Sequence, residues 1–184
     1  MTSLRCVCLA TSLTLPLLCS SLLQASETDA AQTENAKQYL DSVHTSLDGC
    51  IREIQAQCKP FDYETRAAFR EACEAVKLAG VLQQCDAYVA NQQSTQPVAL
   101  FVRSKVNDAA QQNSELPDWM AERVGKIKSK AGYAHALMTG MHYRSFIADP
   151  DSDASLKEQY SQCVLAAGEQ DDPRAALAEC KTKF

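Results

Sequence analysis

The sequence predicts an all-α fold, a single disulfide-stapled bundle of five or six helices built on one long central helix. Three observations carry this expectation. Apolar residues recur at steps of three and four along most of the chain, and the period-two alternation of a half-buried strand appears nowhere. Ala, Gln, Leu, Lys and Glu fill the segments between sparse glycines and prolines, a helical composition. Of the nine cysteines, Cys6, Cys8 and Cys19 fall in an N-terminal leader, and an even set of six remains.

Arg5 is the only charge before Glu27, Cys6 to Leu23 is largely apolar, and Leu23-Gln24-Ala25 precedes a polar stretch. This pattern predicts a secretory signal peptide over residues 1–25, cleaved after Ala25. Ser, Thr and Pro16 interrupt the run, which disfavours a retained span, since about 20 predominantly apolar residues would be wanted. Lipid attachment at Cys19 is disfavoured because Leu17 and Leu18 stand where a small residue is needed. Residues 26–184 are then one domain, without stable membrane insertion after cleavage. Loss of Arg5 leaves 17 Lys and Arg against 23 Asp and Glu, a net charge of −6, so nucleic acid is not an expected partner.

Ser26 to about Asn35 reads as a frayed lead-in. From Ala36, the row Leu40, Val43, Leu47, Cys50 or Ile51, Ile54 and Cys58 predicts a first helix ending at Lys59, because Pro60 cannot continue it. Gly49 slightly lowers local propensity. Asp62 caps a second helix running to about Ala90, with Phe69, Cys73, Val76, Leu82, Cys85 and Val89 on its buried face. Pro97 suits the first position of a third helix through Val98, Phe101, Val102, Val106 and Ala109. The central helix spans about Pro117 to Ala148. Its core row runs Met120, Val124, Ile127, Ala131, Ala134, Met138, Met141, Ser145 and Ala148, and its opposite side carries Gly125, Ser129, Gly132, Ala136 and Gly140. A fifth helix starts near Ser152 and stops at Gly168, which suits a left-handed cap. Asp172 and Pro173 then open a last short helix through Cys180.

Six cysteines in an exported chain imply three disulfides among the 15 possible connectivities. If the first two helices form an antiparallel hairpin, a nested pairing, Cys58 with Cys73 and Cys50 with Cys85, has the right order, and Cys163 with Cys180 closes the last hairpin. The intervals are 8 and 12 residues, a mismatch of roughly 6 Å at 1.5 Å per residue, which requires a crossing angle or a wandering loop. The rival, Cys50 with Cys73, suits a tight turn but sends Cys58 and Cys85 to C-terminal partners. Zinc is disfavoured, because no two of the six have C-x-x-C spacing.

Candidate chemistry is thin. His135, Met138 and His142 sit on adjoining turns of the predicted central helix and resemble a copper ligand set, although a packing surface with flanking histidines is the commoner use of such residues. Arg123, Lys126, Lys128 and Lys130 form the one concentrated basic segment, but at scattered angles that suit a solvated surface. The glycine row makes Gly125, Gly132 and Gly140 candidate partner-binding positions; internal helix packing is the competing reading. His44 with Asp41 or Asp48 is a local pair rather than a general-base arrangement. Neither a G-x-S-x-G elbow nor H-E-x-x-H, a phosphate loop or C-x-x-C-H is present. The expectation is therefore a non-enzymatic, cofactor-free, secreted or periplasmic module that binds another protein by steric occlusion, as an inhibitor, an immunity-type protein or an envelope accessory subunit. The alternative is a helical carrier of a small apolar ligand, or of a metal through the His and Met residues.

Overall fold

Ala36, Leu40, Val43, Leu47, Ile51 and Ile54 line one stripe of helix α1, Leu17–Glu53, and of the π-helical turn that extends it, Ile54–Cys58. The computed structural model describes residues 17–148, 151 and 153–184, with side chains from residue 29 onward except that of Ala148. Eight α-helices and no strand occur among the described residues. Among the described residues, those up to Glu34 and those from Asn35 form separate units, and the second holds the core. Helix covers the polar stretch 26–35 expected to fray. The first sixteen residues of the expected leader, and its side chains, lie outside the described residues. No described helix is long and apolar enough to cross a membrane.

Lys59 ends the first helix in a left-handed conformation (φ 45°), because Pro60 disfavours the helical region in the residue before it. Thr65, rather than Asp62, then caps α2, Arg66–Leu78: its hydroxyl accepts from the Ala68 amide at 3.1 Å. The expected second helix is broken in two. Gly80, at φ 69°, follows the end of α2, and the amides of Gly80 and Val81 return to the carbonyls of Lys77 and Val76, a Schellman stop. Helix α3, Gln83–Gln93, starts after Ala79–Leu82, with the Gln84 amide held at 2.8 Å by the Glu53 carboxylate of α1.

That break resolves the disulfide mismatch. Cys50 pairs with Cys85 and Cys58 with Cys73, the nested scheme, and the four non-helical residues 79–82 take up the excess of the return path. Gly49 has its own reason: a Cβ there would lie 2.9 Å from the Gln84 side chain, beside a disulfide whose Cα atoms are 4.3 Å apart.

Helix α4, Pro97–Gln112, begins at its proline as expected and stops at Asn113, left-handed at φ 50°. Helix α5, Asp118–Met138, is the expected central helix cut short by ten residues. Gly140 adopts φ 65°, and the amides of Gly140 and Met141 bond Leu137 and Ala136, a second Schellman stop. The predicted core row holds through Ala134 and is then lost, leaving Met141 41% exposed. A short α6, Ser145–Ala148, precedes α7, Ala154–Ala167, and α8, Pro173–Lys183, which Cys163–Cys180 ties together. Asp172 caps α8 through the Ala175 amide, as its sequence implies. Gly168, expected to be left-handed, is right-handed at φ −61°. Its lack of a side chain instead admits the Tyr133 ring, which a Cβ would meet at 3.1 Å.

Candidate functional site

The end of α5 at Met138 separates the residues that sequence spacing had aligned. His135 is exposed on the last turn and Met138 half-buried, whereas His142 lies beyond the Gly140 turn with no exposed surface. There the His142 ring packs edge-on to Phe61 and Phe69, with centroids at 5.0 and 5.4 Å, and its Nε2 is 3.0 Å from the Pro60 carbonyl. The Tyr160 hydroxyl donates to the His142 carbonyl at 2.5 Å. This is a core histidine. Seven-residue spacing gives a common side only on an unbroken helix.

The basic segment also divides. Arg123 pairs with Asp41 at 2.9 Å and Lys126 with Glu122 at 3.1 Å. Lys130 is buried, its ammonium on the Asp48 carboxylate, which also faces His44 Nδ1 at 3.4 Å. Both carboxylates considered beside His44 are therefore engaged by cations of α5. Truncating Lys130 to Ala should lower stability by about 2 kcal/mol, less than for a fully buried pair because Asp48 retains some water. Lys130→Met, keeping the apolar stem, should lose about half that. Urea midpoints of the two variants check this; equal midpoints would show that the stem contributes nothing.

The small-residue row meets three different surroundings. Ser129 and Gly132 receive the start of α8: the Ser129 hydroxyl bonds Asp172 and the Arg174 amide, and a Cβ on Gly132 would meet Arg174 Cδ at 3.2 Å. Gly140 is part of the turn, with a Cβ position 2.9 Å from Arg66 Cγ. Gly125 faces open space, with no atom of the described residues within 4 Å of its Cβ position. Of the three glycines singled out, only Gly125 borders an opening.

That opening is a groove between α4 and α5 that leads into a more enclosed cavity of about 220 Å³. Tyr39, Leu40 and Val43 of α1 contribute to the cavity wall, with Tyr88 and Gln92 of α3, Val102, Arg103, Val106 and Asn107 of α4, and Val124, Ile127, Lys128 and Ala131 of α5. Val106, Val124 and Lys128 line the groove as well. No family model, characterised protein or solved structure matches this chain. The cavity is therefore read from its own chemistry.

The walls are mostly apolar. Arg103 is held by the carbonyls of Gln92 and Ser94, at 2.8 Å for the first. The Tyr39 hydroxyl donates to the Asn91 carbonyl at 2.8 Å, and burial raises its pKa against the lowering effect of Arg103. Burial likewise raises that of Tyr88, whose hydroxyl has no hydrogen-bond partner among the described residues. Lys128 is exposed and, among the described residues, without an ion-pair partner. No carboxylate lines the cavity. The periodic apolar positions of α1, α4 and α5 are legible in the sequence, but nothing in their spacing shows that the helices stand apart here.

The two most buried tyrosines, Tyr133 and Tyr160, serve the core rather than the cavity. Burial pushes Tyr133 up to about 12, and its hydroxyl donates to the Val164 carbonyl while accepting from Gln55. Burial also pushes Tyr160 up to about 12. Both are neutral hydrogen-bonding posts of the core.

Proposed function

We propose that this chain is an exported, non-catalytic binding domain that holds a small apolar ligand in the cavity between α1, α3, α4 and α5. The cavity is the observation that carries the reading. Protein interiors are close-packed, and an apolar space without atoms forfeits dispersion contacts that a ligand restores. An engineered apolar cavity of about 150 Å³ already takes up benzene. Here 220 Å³ is available, with the α4–α5 groove as an entry path. Three intramolecular disulfides fit an oxidising compartment, and two of them hold the first helix and its π-helical turn against α2 and α3, which reduces the ordering cost of binding. Export by a cleaved leader completes this reading.

The neutral fluorophore N-phenyl-1-naphthylamine tests it. A one-to-one blue-shifted signal is expected with the oxidised protein. Val106→Phe, which fills the cavity at its junction with the groove, should weaken that signal about tenfold or more while leaving the melting temperature within a few degrees. Unchanged binding by the variant would place the dye elsewhere and remove the support.

Occlusion of a protein partner is the second reading, and a separate observation favours it. Leu78, 79% exposed, and Val81, 41% exposed, project from the turn between α2 and α3, and each helix is tied to the first by a disulfide. An apolar tip on a rigid support suits a pocket in another protein. Its mark would be a stoichiometric complex lost on Leu78→Ser with dye binding intact.

A further inference from the structure

Resting on the cavity reading above, we infer that the ligand is a single-chain amphiphile with a carboxylate head, its chain in the cavity and its head at Lys128 and Arg103. The argument is one of charge. The protein is acidic, yet the cavity lining contains two cations and no carboxylate. Elsewhere on α5 the cations are neutralised: Arg123 by Asp41, Lys126 by Glu122 and Lys130 by Asp48. Lys128 alone of that basic segment lacks a carboxylate partner among the described residues, and it lines both the cavity and the groove. Arg103 reaches the same cavity from α4. Its two bonds go to neutral carbonyls, which orient the guanidinium without cancelling its charge. An apolar chamber with two uncompensated cations on its walls complements a chain that ends in an anion. The unpartnered Tyr88 hydroxyl supplies a further donor to a carboxylate oxygen.

A volume of about 220 Å³ favours one chain over two. A cationic amphiphile would meet like charge, and a neutral one would leave the two cations without a counter-charge. The groove cannot serve the anionic head equally well, because Glu115 and Asp118 stand on its wall. The head therefore belongs at the junction, where Lys128 is shared.

Displacement of N-phenyl-1-naphthylamine from the full-length oxidised protein by decanoate, decanol and decyltrimethylammonium tests the assignment. All three are used below their aggregation limits, at low salt and with the carboxylate ionised. Decanoate should displace the dye about five- to tenfold more effectively than decanol, with the ammonium weakest. Lys128→Gln should erase most of the preference for decanoate, and Lys128→Glu should reverse its order against the ammonium. Lys128 is exposed, so neither variant threatens the fold. Equal displacement by all three amphiphiles would overturn the carboxylate assignment while leaving the apolar cavity reading intact. Failure of the dye to bind at all would overturn both.

Discussion

Replacing Cys50 and Cys85 together by serine should lower the unfolding free energy by about 4 kcal/mol, the largest single loss expected in this chain. The bridge closes 35 residues, whereas Cys58–Cys73 closes 15 and its removal should cost about 3 kcal/mol, because a longer loop restricts the unfolded chain more. Structural position strengthens the ordering. Beside Cys50–Cys85, Gly49 allows α3 to approach α1, Glu53 caps the Gln84 amide, and Asn91 bonds the Tyr39 and Ser46 hydroxyls. Loosening α3 should therefore also disturb the cavity wall carried by Tyr88 and Gln92. Urea unfolding of both serine pairs, with dye binding measured alongside, gives the check. A smaller loss for the Cys50–Cys85 pair than for Cys58–Cys73 would contradict the loop argument.

Acid should destabilise the fold through His142, and replacement of His142 by Ala should lose about 3 kcal/mol by leaving a void between Phe61 and Phe69 and freeing the Pro60 carbonyl. Burial holds the imidazole below its ordinary pKa. The Pro60 and Ala136 carbonyls oppose that shift, and Lys181 and Arg66 add to it. Nδ1 has no partner in hydrogen-bonding geometry among the described residues. Because the folded pKa is depressed, the unfolded chain binds the proton more readily. This contribution is complete above about pH 6.5 and shrinks as pH falls toward the folded value, by up to about 1.4 kcal/mol per pH unit. Below the folded value it stops changing. His142→Gln, which can still donate to Pro60, should flatten this part of the profile relative to wild type. Parallel slopes for the two proteins between about pH 7 and pH 5 would assign the acid sensitivity to other groups.

The helical class was legible because amphipathic period is a local property. Ala36 to Ile54 on α1 and, Ala131 aside, Met120 to Ala134 on α5 bury the residues their spacing predicts. Proline punctuation was legible too, in the stop before Pro60 and the starts at Pro97 and Pro173. Glycine punctuation was harder. Gly80 and Gly140 end helices in Schellman turns, while Gly125 and Gly132 sit inside α5 unremarked by the backbone. A period that runs through a glycine does not reveal which will happen, since the left-handed turn is settled by what its ends reach: Cys85 returning to Cys50, and His142 entering the core beside Phe61.

By itself, then, the sequence determined that the chain is helical, that Cys50, Cys58, Cys73 and Cys85 can nest, and that proline sets three helix boundaries. Only the tertiary structure decided that Lys130 is a buried ion-pair partner while Lys128 has none among the described residues, that His142 is core, and that α4 and α5 leave an apolar opening. The physical reason is range. Propensity and period act over a few residues of one helix, whereas a charge pair, a buried ring or a cavity depends on side chains that meet across roughly eighty positions, as Asp48 and Lys130 do.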